Sequence, residues 1–147
     1  MQKLVGELMI RKFVKIHEDE PIYQAVEKIA ADRETLIACV VDRDDKLKGI
    51  ITPREVLKTV EVREFETIRY PFFEGAKILG LLTSKYARDM MSAPVSVRED
   101  DEIEEAINIM LDYGFYEVPV VDKEGRVLGE INYFNIIISA VEYLKED

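Results

Sequence analysis

A chain of 147 residues, 48% of them hydrophobic, can fill the core of one compact domain or two very small ones. Its net charge of -10 and isoelectric point near 4.7 repel a phosphate backbone, so nucleic acid is set aside as a partner. Cys39 is the only cysteine and His17 the only histidine, which excludes an intramolecular disulfide, a Cys/His zinc cluster and a Ser-His-Asp triad.

The amino-terminal "MQKLVGELMIRKF" mixes charge into its apolar residues, and no apolar run approaches the roughly 20 residues that span a bilayer. The chain is expected to be soluble, without membrane contact, and to work in a reducing cytoplasm. "FVKI" from Phe13 predicts a strand. Ile22, Ala25, Val26, Ile29 and Ala30 then follow the spacing of one helical face, and Pro21 suits that helix's first turn. Leu36 to Val41 predicts a buried strand, followed by a charged turn and a second strand ending at Thr52, where another helix starts.

A shift of 80 residues carries Gly49 of "GIITPREVL" onto Gly129 of "GEINYFNII", and "CVVD" from Cys39 onto "PVVD" from Pro119. A shift of 81 carries Phe13 onto Pro94 and the first helical face onto Ile103, Ala106, Ile107, Met110 and Leu111. Asp101 with Glu104 predicts a capping box for this later helix, and Gly114 its C-terminal stop. Each copy therefore reads strand, helix, strand, strand, helix, an α+β chain of two βαββα repeats over 1–60 and 87–147. The connector, 61–86, has no counterpart. Its "RYPFFEGAKILGLL" is too apolar for a disordered tether and predicts a partly helical segment, broken near Pro71 and Gly75, that packs back on the repeats or serves as a partner-binding arm.

"YARDMMSAPVSV", the helix, "YEVPVVDKEGRVLG" and a polar strand-helix junction in this order closely resemble a CBS domain, of which the first half is a diverged copy. The amino-terminal "VGELMIRKF" takes the place of "YARDMMSAP", with Leu8 set where Asp89 stands. The resemblance implies a tandem CBS pair about a pseudo-twofold axis, commonly a disc-like homodimer. It implies clefts that take an adenosine-containing ligand such as AMP, ADP, ATP or S-adenosylmethionine, with no cofactor required. The bound state would be reported to an effector protein, since the repeats and connector leave no room in this chain for an effector domain.

By the same resemblance, one cleft joins Thr52, Arg54 and Glu55 to Ser92, Pro94, Val95, Tyr116, Glu117 and Val118. The Thr52 hydroxyl and the helix start would face phosphate, Arg54 would pair with it, Glu55 would accept from both ribose hydroxyls, and Tyr116 would lie against adenine. Family members carry aspartate where Glu55 stands, one methylene shorter. A second, weaker cleft joins Asn132 and Asn135 to Val14, Leu36, Ile37 and Ala38, since a carboxamide brings no charge to a diol. Helix capping accounts for both junctions without a ligand: Thr52-Pro53-Arg54-Glu55 spells a capping box, and Asn132 is a strong N-cap. The leading reading is thus a non-catalytic regulatory module. The alternative is a ligand-free module for interaction or dimerisation, using its helices and "RYPFFEGAKILGLL". No nucleophile-base pair supports an enzyme, the acidic "REDDEIEE" is what a helix start attracts without any metal, and Cys39 reads as a small core residue.

Overall fold

Both repeats fold as their patterns predict. The computed structural model of the protein describes residues 3–32, 36–65 and 85–145, so most of the expected connector, including Pro71 and Gly75, lies outside the described residues. In chain order the elements are α1 (Val5–Leu8), β1 (Val14–His17), α2 (Ile22–Ala31), β2 (Ala38–Val41), β3 (Leu47–Ile51), α3 (Pro53–Phe65), α4 (Ala87–Met90), β4 (Val97–Arg98), α5 (Ile103–Tyr113), β5 (Glu117–Val121), β6 (Val127–Asn132) and α6 (Tyr133–Lys145). Helix α3 continues five residues past the expected start of the connector. Among the described residues none forms a helix long and apolar enough to cross a membrane.

The sheets have orders β1-β2-β3 and β4-β5-β6. β1 runs parallel to β2, pairing Val14 with Ala38 and His17 with Val41. β4 runs parallel to β5, and β5 pairs antiparallel with β6, Glu117 opposite Asn132 and Val120 opposite Gly129. The β5-β6 turn is set by the Asp122 carboxylate, which accepts the Glu124 and Arg126 N–H groups at 2.9 Å each, with Gly125 at φ 85°.

The chain divides into two compact units. One comprises Met1–Phe13, Arg43–Leu47 and Pro94–Asp147; the other comprises Val14–Asp42 and Lys48–Ala93. The core of the first holds Val5, Val97, Ile103, Ala106, Met110, Val118, Val120 and Ile131, and that of the second Ile16, Ile22, Ala25, Ala38, Val40, Ile51, Ala87 and Met90. Apart from Met110 and Met90, whose counterparts Ile29 and Leu8 pack at the edge, these are the same repeat positions in both units. Leu111 and Ala30, expected to complete the helical faces, are instead exposed, Leu111 to 77%. Each stands eight residues on from the first buried residue, about 80° round the helix from it, while Met110 and Ile29, one residue earlier, keep the contact with the core.

The segment leading into each repeat packs with the other repeat's sheet. Ile10 and Glu130 exchange backbone hydrogen bonds of 2.8 and 2.9 Å, while Val5 and Gly6 donate to the Asp101 and Glu99 carbonyls. In the other unit Ser92 and Ile50 exchange bonds of 2.8 and 3.1 Å, and Ala87 donates to the Glu20 carbonyl. These exchanges explain two glycines: a Cβ on Gly129 would lie 2.0 Å from the Ile10 carbonyl oxygen, and one on Gly49 would lie 2.6 Å from that of Ser92.

Three expectations are corrected here. The counterpart of Asp89 is Glu7, not Leu8: the Asp89 carboxylate accepts the Lys85 and Tyr86 N–H groups, and the Glu7 carboxylate accepts the Leu4 N–H at 2.7 Å. Asp101 makes no box with Glu104 but accepts the Arg98 N–H at 2.8 Å, because α5 starts a residue later, with Glu102 as its N-cap. Pro21 likewise stands at the N-cap of α2 rather than inside it. The expected stop at Gly114 holds, with φ 71° and the Phe115 N–H donating to the Met110 carbonyl.

Candidate ligand site at the start of helix α3

Strand β3 ends at Ile51 and α3 begins at Pro53, whose fixed φ and missing N–H suit a first helical position. Thr52 is left at the junction with Glu55 three residues on. The Glu55 carboxylate turns back to accept the Thr52 N–H at 2.8 Å on Oε2, and the same oxygen accepts the Thr52 hydroxyl. This is half of the expected capping box. The Thr52 hydroxyl is not an acceptor for the helix; it donates to the acid.

Ser92 follows α4, and its bridge to Ile50 carries its side chain onto the same acid, so that its hydroxyl donates to Glu55 Oε1 at 2.6 Å. Thr52, Glu55 and Ser92 are all half-buried, and Arg54 is exposed beside them. Burial by itself would raise the Glu55 pKa. The hydrogen bonds from Ser92 and Thr52 outweigh it and hold the carboxyl below the usual glutamate range.

A folded-state pKa below the unfolded one adds stability above the unfolded value, and that stability is lost as pH falls through the folded value. The stability difference between the wild type and Glu55→Gln is therefore expected to be full at neutral pH. It should shrink once pH drops below about 4.3, the ordinary glutamate value. Paired urea titrations from pH 7 to pH 3 measure this, and a difference that stays constant over the range would contradict an ionised, bonded Glu55.

The matching junction, between β6 and α6, is a complete and uncharged box. Asn132 N–H donates to Asn135 Oδ1 at 3.1 Å, and Asn135 N–H donates to Asn132 Oδ1 at 3.0 Å. Both carboxamide oxygens are thereby committed to the backbone.

The remaining expected site residues are divided between the units. Pro94, Val95, Tyr116, Glu117 and Val118 belong with Asn132 and Asn135, whereas Val14, Leu36, Ile37 and Ala38 belong with Thr52 and Glu55. Val118, Ile37 and Ala38 are buried, Val118 and Ala38 within the two cores, and Glu117 is 3% exposed; Pro94 and Leu36 are exposed, and Val14 and Val95 half-buried. Tyr116, expected against adenine, packs on Tyr133 at a ring separation of 5.3 Å. It lines an apolar groove of about 430 Å³ between α5 and α6, with Ile107, Met110, Phe115 and Ile137.

That groove continues into an exposed apolar surface on α6, formed by Phe134, Ile137, Ile138, Val141 and Leu144. The sequence predicts a homodimer built on helices from both repeats and does not single this helix out. The signal was the absence of any charge from Tyr133 to Val141.

The chain belongs to the CBS domain family, whose model matches it twice, over residues 5–62 and 87–142. It is similar to a chloroplastic CBS domain-containing protein, CBSX1, of Arabidopsis thaliana, at 28% identity over 94% of this chain and 64% of that protein. Among solved structures it resembles CBSX2 in complex with AMP, with a TM-score of 0.78, 21% identity, and 95% and 97% of the two chains covered. It also resembles the CBS domain pair of protein MJ0100 in complex with 5′-methylthioadenosine and S-adenosyl-L-methionine, with a TM-score of 0.71, 21% identity, and 97% and 99% covered. The chain spans 64%, 24% and 26% of the length of the first three curated relatives it matches.

Proposed function

We propose that this protein is a non-catalytic regulatory module that binds an adenosine-containing ligand where β3 meets α3 and passes the bound state to a partner protein. The observation that carries this reading is the ionised Glu55 carboxylate beside a helix N-terminus, with Thr52 next to it. A fixed carboxylate matches the two hydroxyls of a ribose, and the positive end of the α3 dipole favours a phosphate. Arg54, exposed at the same helix start, supplies a cation for that phosphate. The AMP and S-adenosylmethionine complexes of structurally similar CBS pairs support the same ligand class. The Asn132/Asn135 junction is the weaker of the two, because its carboxamides are uncharged and already paired.

A thermal-shift screen against AMP, ADP, ATP, S-adenosylmethionine and NAD tests the reading. Stabilisation by at least one adenosine ligand supports it, and no shift with any of them leaves the ligand-free interaction module.

The apolar face of α5 and α6 favours self-association as a homodimer, since a surface of this kind is seldom left to water. Sedimentation at micromolar concentration is expected to give about twice the 17.0 kDa monomer mass. Ile138→Asp, a change at a residue 67% exposed in the single chain, should give monomers without unfolding them. A wild type that sediments as a monomer would refute the dimer.

A further inference from the structure

A carboxylate offers about four lone-pair positions, two on each oxygen. On Glu55 three are filled from within the chain: Oε2 takes the Thr52 N–H and hydroxyl, and Oε1 takes the Ser92 hydroxyl. A ribose diol brings two O–H donors, and a single open position does not accept both. The Thr52 N–H is held by the turn into α3, so the donors able to leave are the two hydroxyls. The Ser92 hydroxyl sits on Oε1, so its departure gives a cis-diol two positions on that oxygen while Thr52 keeps Oε2.

Ser92 is no part of the helix start. It lies 37 residues away in sequence, and its position is set by the backbone bridge to Ile50. Its hydroxyl leaves Glu55 by rotation about one side-chain bond, with the bridge intact.

We infer that Ser92 is an internal competitor, a hydroxyl that occupies the diol position of Glu55 and must turn away before a ribose enters; this rests on the diol reading of Glu55 given above. The arrangement lowers affinity for a ribose and, with it, the preference for a ribose over a deoxyribose. A ligand with both hydroxyls replaces the hydrogen bond that it displaces, whereas a deoxy ligand has one donor, which the open position already accepts.

The test is isothermal titration of the full chain with adenosine, AMP and 2′-deoxyadenosine, in the wild type, Ser92→Ala and Ser92→Cys. Ser92→Ala should bind adenosine and AMP about 3- to 10-fold more tightly, the size of one exchanged hydrogen bond. Its affinity for 2′-deoxyadenosine should stay within about twofold of the wild type. Ser92→Cys keeps the volume and weakens the donor, so it should gain in the same direction by less; it also serves if the alanine variant fails to fold. If the wild type binds AMP but both variants bind it equally or more weakly, Ser92 is no competitor while the site at Glu55 stands. An equal gain for 2′-deoxyadenosine overturns the inference in the same way. If wild type and variants all fail to bind AMP and adenosine, the site reading falls and the inference with it.

Discussion

Replacing Gly129 with alanine should destabilise the protein by about 3 kcal/mol or more, because the new Cβ would lie 2.0 Å from the Ile10 carbonyl oxygen and 3.0 Å from Arg11 Cα. Both neighbours are backbone, so no change of rotamer relieves the contact. The bridge between Ile10 and Glu130 has to open, at a cost of about 0.5 to 1.5 kcal/mol for each of its two hydrogen bonds. With it loosens α1, whose Val5 is fully buried in the core beneath β5 and is worth about 1.5 kcal/mol or more. Gly114→Ala provides the contrast: φ is 71° but nothing lies within 4 Å, so only the cost of a left-handed alanine remains, about 1 kcal/mol. Urea unfolding of the two variants should give that ranking. A Gly129→Ala protein within about 1 kcal/mol of wild type would show that the leading segment is not held by this bridge.

The second large effect is expected on ligand binding. At a ligand concentration of about 100 times Kd, binding stabilises the fold by about 2.7 kcal/mol, which raises the melting temperature by several degrees in a chain of this length. Glu55→Ala removes the carboxylate that would accept the diol, together with the partner of the Thr52 N–H. It should lower the ligand-free melting temperature slightly and remove most of the adenosine-dependent shift. Asn135→Ala also breaks a cap, since Asn135 Oδ1 accepts the Asn132 N–H, but it should leave the shift nearly intact. The pair of variants thus separates capping from binding. A shift that survives Glu55→Ala would make the Thr52-Glu55 contact a helix cap and nothing more.

Much of this molecule follows from local pattern. The helical faces that begin at Ile22 and Ile103, the buried strands of "CVVD" and "PVVD", and the stop at Gly114 all rest on periods of two or 3.6 residues or on one residue's backbone freedom. Such signals are carried by neighbours in sequence, so the two repeats and their matching cores could be read from the chain alone. The Thr52-Glu55 contact was legible for the same reason, being a matter of three residues and a helix start.

Contacts between distant segments were not legible in that way. The stretches containing Ile10 and Ser92 each offer a short extended backbone, and the two repeats offer sheet edges of the same kind, so nothing local directs either stretch away from its own repeat. Backbone pairing is blind to side-chain identity; what selects the partner is the fit of whole segments, seen in Val5, Ala87 and Met90 entering the opposite repeat's core. Once Ser92 is pinned to Ile50, its hydroxyl reaches Glu55, and an acid whose local pattern is half of a helix cap, and which the family resemblance makes a diol acceptor, becomes a carboxylate shared by two hydroxyls of its own chain. The packing of Tyr116 on Tyr133 has the same origin, because the two rings come from segments apart in the chain.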